Sequence, residues 1–213
     1  MRRVSPRTSI FREERLTFRN GPITLEGTLV LPPGAGPFPA AVVAHGSDPE
    51  NRNSAGYRGQ GVLLARHGMA ALIYDKRGTG ASTGDYTTAS LEDLANDALA
   101  GAAALQKRQD IRKSLIGIAG QSQGGWIAPL AATLSKNVAF VIALSSPGIG
   151  PMAQSIYHNS NEMRAAGFSE TDIARAQALR DRMYQRARTG SVDKDFLKDL
   201  EAASKAPWFE ASK

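Results

Sequence analysis

Four short apolar runs limit what this chain can fold into: AAVVAHG (40–46), MAALIYD (69–75), SLIGIAG (114–120) and VAFVIALSS (138–146). Each is an unbroken stretch dominated by Val, Ile, Leu and Ala, the pattern of strands buried on both faces in a parallel sheet. Between them lie GYRGQGVLLARHG, SLEDLANDALAGAAALQKRQ and QGGWIAPLAATLSK, whose apolar residues recur at helical spacing. Strand and helix in alternation predict an α/β fold, a mostly parallel sheet with flanking helices. Upstream, RLTFR and ITLEGTLVL fall within residues 13–31 and are joined by the turn signal NGP. The second of these alternates apolar and polar residues, so this N-terminal antiparallel pair extends one edge of the sheet.

After SSPGIGP the strand signals stop. Residues 152–205 predict two or three helices, in MAQSIYHNSNEMRAAG, SETDIARAQALRDRMYQRAR and DKDFLKDLEAAS. Ser169 followed by Asp172 resembles a capping box with Asp in place of Glu, and Gly167 and Gly190 mark helix stops. The chain thus divides into a core over residues 1–150 and a helical segment over 151–213.

With 213 residues, 42% of them hydrophobic, the chain can bury one substantial core. Its formal charge of +6 is concentrated in MRRVSPR and in ARAQALRDRMYQRAR. No aromatic-interleaved basic stripe, zinc spacing or helix-turn-helix pattern accompanies it, so nucleic acid is not an expected partner. The absence of cysteine excludes disulfides, thiolate metal sites and a cysteine nucleophile. His, Asp and Glu are too scattered for ligand spacing, so no metal or other cofactor is implied. No run approaches the ~18 apolar residues of a membrane span, and no apolar segment follows the basic N-terminus. The expectation is a soluble, cytoplasmic protein, unless a secretion signal has been removed.

The chemistry is concentrated in LIGIAGQSQGGW (115–126), where an apolar run ends in Gly120-Gln121-Ser122-Gln123-Gly124. This fits G-x-S-x-G at the passage from a predicted strand to a predicted helix, the context of a nucleophile elbow. The competing reading is a glycine-rich turn with an incidental serine. In an elbow the serine backbone is strained, and Gly120 and Gly124 avoid a clash on either side of it. Gln123 N–H, at the helix start, is one candidate donor for a developing oxyanion. The other comes from the loop after the first buried strand, where Gly46 lets the backbone turn and Ser47 offers its N–H. His45 beside them is read as a structural histidine bonded to the loop, on the wrong side of the serine to act as base.

The segments HGSDPENRN, YDKRGTGAST and GQSQGGWIAPLAA, in this order and spacing, resemble the α/β-hydrolase fold. More narrowly they resemble bacterial serine esterases and acyl-hydrolases related to dienelactone hydrolases and to the bile-acid acyltransferase C-terminal domain. The resemblance spans about residues 10–150, and the helical segment after it is similar to the family's cap. It implies a carboxylesterase-like enzyme acting on small acyl esters without a cofactor. It also implies that Asp75 and Arg77 brace the oxyanion loop through an ion pair. RGTGASTG lacks the spacing and terminal Gly-Lys-Ser/Thr of a phosphate-binding loop.

In this fold the triad runs Ser, then Asp or Glu, then His. Only His158 follows Ser122, and it sits in the predicted helix IYHNSN, while Asp172 and Asp181 fall on helix surfaces. The apolar run 138–146 would also end the sheet as an unprotected edge. Both observations predict a truncated chain: the last strands of the fold are missing, the triad acid and histidine lie beyond Lys213, and activity is impaired. Two alternatives stand beside this. One is a non-catalytic binding or dimerisation protein that pairs through edge strand 138–144. The other is an enzyme whose base is His158 or comes from a second chain.

Overall fold

A computed structural model of the chain describes residues 11–191 and 194–211. The basic run MRRVSPR, and Asp193 at the head of the last predicted helix, lie outside the described residues. The chain divides into two compact units, residues 1–146 and 147–213.

The first unit is built on a six-stranded sheet in the order β1-β2-β4-β3-β5-β6. Its strands are β1 (Arg12–Asn20), β2 (Ile23–Leu31), β3 (Phe38–Ala44), β4 (Ala70–Tyr74), β5 (Ile111–Gln121) and β6 (Val141–Leu144). β1 and β2 pair antiparallel, as does β2 with β4; the pairs β3–β4, β3–β5 and β5–β6 are parallel. This is the α/β-hydrolase-type sheet with its antiparallel extension at one edge.

Strand periodicity sorts the side chains between the two faces. Leu29, Leu31, Val42, Ala44 and Leu72 pack on one face, with Leu94, Ala98 and Leu105 of α2 (Leu91–Gln106) and Ile127 and Ala131 of α3 (Gly124–Leu134). Their neighbours Val30, Val43 and Ile73 face the other way, onto Tyr57 and Ala65 of α1 (Ala55–Arg66). α2 starts at a full capping box in which Ser90 and Asp93 satisfy each other's backbone amides.

The run 138–146 forms a shorter and more open strand than its composition predicts. Only 141–144 is regular, it pairs with β5 alone, and Val141 and Leu144 are exposed. An apolar run records tolerance of burial; its place at the sheet edge decides the outcome. Residues 139 and 140 still bond irregularly to β5, through Ala139 N–H to Ile116 O and Ile118 N–H to Phe140 O.

The second unit holds α4 (Pro151–Ala165), α5 (Glu170–Thr189), α6 (Phe196–Ser204) and the short α7 (Pro207–Ala211). It has its own core of Met163, Ile173, Ala176, Leu179, Phe196 and Trp208. α5 begins where Ser169 Oγ accepts Asp172 N–H and ends at Gly190, whose φ of 72° suits glycine. α7 carried no signal apart from Pro207 at a helix start.

Candidate active site

β5 ends at Gln121, α3 begins at Gly124, and Ser122 between them has φ +54°, a left-handed conformation uncommon for a residue with a side chain. The turn is held by Ser122 N–H to Leu144 O at 3.1 Å and by Gly125 N–H to Ser122 O at 2.8 Å. The glycines are there because the backbones approach too closely for anything larger. A Cβ on Gly120 would collide with the Gly124 carbonyl, and one on Gly124 would lie 2.6 Å from Ala44 O. A Cβ on Gly125 would run into the Ser146 side chain. Strain of this kind is sustained only where the surroundings over-determine it, and it clusters at functional sites.

The loop leaving β3 lies beside the serine: a Cβ on Gly46 would come within 3.7 Å of Ser122 Cβ. Gly46 N–H is taken by the Tyr57 hydroxyl at 2.7 Å, so it is not free to meet a ligand. Among the described residues, the Ser47 and Gln123 amides donate to no protein acceptor. The exposed Ser122 hydroxyl likewise has no hydrogen-bond partner among them. Gly46, Ser47, Ser122 and Gln123 therefore lie together, leaving one hydroxyl and two amides uncommitted.

Both histidines of this unit are engaged elsewhere. His45, 2% exposed, meets Tyr74 O through Nε2 at 2.7 Å, and its ring stands edge-on to Tyr57 and Tyr74. A carbonyl only accepts, so Nε2 carries the proton. Burial lowers the His45 pKa to about 3, only partly opposed by the Tyr74 carbonyl, so the ring is neutral. His67 bonds Leu63 O at the end of α1. In the second unit His158 is exposed on α4 and pairs with Glu162 one turn along at 3.3 Å, and the Asp172 carboxylate accepts the hydroxyl of Ser169, the N-cap of α5. Asp181 is exposed on α5.

The expected ion pair between Asp75 and Arg77 is replaced by two separate ones. Asp75 pairs with Arg52 at 2.9 Å and also accepts Arg52 N–H and Ala81 N–H, tying the loop after β3 to the loop after β4. Arg77 turns away, binding Asp97 of α2 through Nε at 2.7 Å and Nη2 at 2.8 Å, while Asn20 of β1 bonds the same carboxylate. β4 ends at Tyr74 and the chain bends at Gly78, with φ +75°, so strand alternation no longer governs these two side chains. Hydrogen bonding to Asp97 raises the Arg77 pKa further, so the guanidinium stays charged.

Lys76, which sequence reasoning passed over, also reaches the loop after β3. Its ammonium donates to the carbonyls of Gly46, Ser47 and Asp48 at 2.8, 3.1 and 3.3 Å. Gln60 of α1 was also passed over; its side-chain amide bonds the Gln121 side chain just before the serine. Both are long-range contacts that no local pattern announces. Among the described residues no cluster of His, Asp or Glu is arranged to hold a metal, and no helix is long and apolar enough to cross a membrane.

Known proteins place this architecture. Esterase EstD of Thermotoga maritima is 29% identical over 165 residues, covering 75% of this chain and 38% of its own length. The chain thus spans well under half of that relative. A Pyrococcus furiosus esterase superposes with TM-score 0.59 at 21% identity, over 75% of this chain and 58% of its own. Dienelactone hydrolase from Anabaena variabilis gives 0.56 at 23% identity, over 68% of this chain and 67% of its own. These likenesses share the α/β-hydrolase fold. The family described as X-Pro dipeptidyl-peptidase (S15 family) matches residues 20–212, nearly the whole chain, and it is to this family that the chain belongs.

Proposed function

We propose that this chain carries the nucleophile of a serine hydrolase acting on small acyl esters. Ser122 Oγ attacks the ester carbonyl carbon, and the carbonyl oxygen becomes an oxyanion held by the Ser47 and Gln123 amides. Collapse of that intermediate breaks the bond to the leaving oxygen, which departs as the alcohol with the Ser122 proton relayed through water, and a second water then hydrolyses the acyl-serine to the acid. The observation that carries this reading is a serine at φ +54° on a strand-to-helix turn, beside two amides with no protein partner. The esterases among its relatives support the ester as substrate. Because no described side chain receives the Ser122 proton, the isolated chain is a slow enzyme. An oxyanion hole and binding alone typically leave roughly 10³–10⁴-fold over water.

Steady-state hydrolysis of para-nitrophenyl esters, with Ser122→Ala in parallel, tests the proposal. Slow turnover that disappears in Ser122→Ala supports it, and turnover that survives the substitution refutes it. Turnover within tenfold of ordinary esterases would refute the impairment alone. The family description favours a second reading, cleavage of an amide after an Xaa-Pro dipeptide. Faster turnover of an Xaa-Pro anilide than of any ester would establish that one.

The division at residue 150 into a hydrolase core and a cap-like segment belongs to this proposal, as does pairing of two copies through the open edge of β6. Light scattering at micromolar concentration would show a dimer that Val141→Lys abolishes; a monomer in both would remove the pairing.

A further inference from the structure

We propose that Lys76 is a positioning residue that aims the oxyanion donors: its ammonium touches no substrate yet sets the rate of acyl transfer by fixing the peptide that carries Ser47 N–H. The inference rests on the reading of Ser122 as nucleophile.

Lys76 lies two residues past the end of β4 and is 2% exposed. An ammonium has three protons. Here three consecutive carbonyls, those of Gly46, Ser47 and Asp48, lie within 2.8–3.3 Å of it, and the side-chain oxygen of Gln123 lies at 3.5 Å. The Tyr86 ring closes the remaining side, its centroid 4.7 Å away. One cation thus contacts the residues of both candidate oxyanion donors.

The consequence follows from peptide geometry. In a trans peptide the C=O and N–H point in opposite directions. Drawing the Gly46 carbonyl onto Lys76 therefore turns Ser47 N–H away from the lysine. The peptide on the other side of Gly46 is fixed by the Tyr57 hydroxyl. Glycine imposes little preference of its own, so without these two anchors the Gly46–Ser47 peptide is free to rotate and its donor loses its aim. Cohesion alone does not account for the lysine, since a well-packed apolar side chain serves as well as a buried charge. Burial lowers the Lys76 pKa, while Asp48 and Glu50 act to keep it charged.

The test is steady-state kinetics of Lys76→Met and Lys76→Arg on a para-nitrophenyl ester, with melting temperatures and Ser122→Ala in parallel. An oxyanion hole acts in the transition state and not in substrate binding. The expected result for folded Lys76→Met is a kcat lower by on the order of 10²-fold, with KM nearly unchanged and partial recovery in Lys76→Arg. A folded Lys76→Met with wild-type kcat, or a loss confined to KM, overturns the proposal. If Lys76→Met does not fold, Lys76→Gln, neutral but still a donor, is judged by the same two constants. Turnover surviving in Ser122→Ala would bring down the nucleophile reading, and this proposal with it. A dead Ser122→Ala beside Lys76 variants that keep the wild-type kcat would bring down the lysine's role alone.

Discussion

The two units use the same charged residue types to opposite ends. In the first, Asp75, Lys76 and Arg77 just past the end of β4, and Asp97 within α2, are buried, each bonded to groups distant in sequence. In the second, His158–Glu162, Lys205–Glu201 and Arg164–Glu170 are exposed pairs between near neighbours. A buried charge without its partner is expensive, so the first kind fixes backbone positions; a solvated pair contributes little. The difference teaches where precision resides in this protein: at the ends of β3, β4 and β5, around Ser122.

The sharpest way to break that contrast is Asp97→Ala, which strands Arg77 in the interior. Chemical denaturation should show a loss of about 3–5 kcal/mol, and a loss below 1 kcal/mol would place Arg77 among the solvated charges. Gly120→Ala comes next. Its methyl group meets backbone rather than a flexible side chain, and overpacking of this kind costs about 1–3 kcal/mol. Circular dichroism melting would register it, together with a loss of whatever turnover Ser122 supports.

Acid offers a third comparison. The folded-state pKa of His45 is about 3, below the ordinary 6.5. Between those values the unfolded chain binds the proton and the folded chain does not, so stability falls as pH drops below 6.5. The loss attributable to this ring is about 2 kcal/mol at pH 5. His45→Gln should flatten that part of the stability profile, and an unchanged slope would mean the ring is not neutral in the fold. The smallest effect belongs to the second unit: Glu162→Ala should move Tm by no more than about 2 °C.

What the sequence disclosed follows the range of each interaction. β2 and the passage from β5 through Ser122 to α3 were legible because periodicity and glycine spacing are local. Gly46 and Ser47 were legible as the end of an apolar run. Lys76 was not, since its three carbonyls lie about 30 residues earlier and YDKRG says nothing of where the lysine points. Arg52 and Asp97 were hidden for the same reason, and the pair assigned to Asp75 and Arg77 went to those two instead. The edge position of the run 138–146 was legible, because no further strand signal follows it, but its short regular length was not: composition reports tolerance of burial and does not say where pairing stops.

The most direct measurement of the central claim is intact-mass analysis of the chain after prolonged incubation with a fluorophosphonate, followed by peptide mapping. The account predicts one slowly accumulating adduct, on Ser122, absent from Ser122→Ala. Folded protein that takes up no reagent, or an adduct that persists in Ser122→Ala, would contradict it.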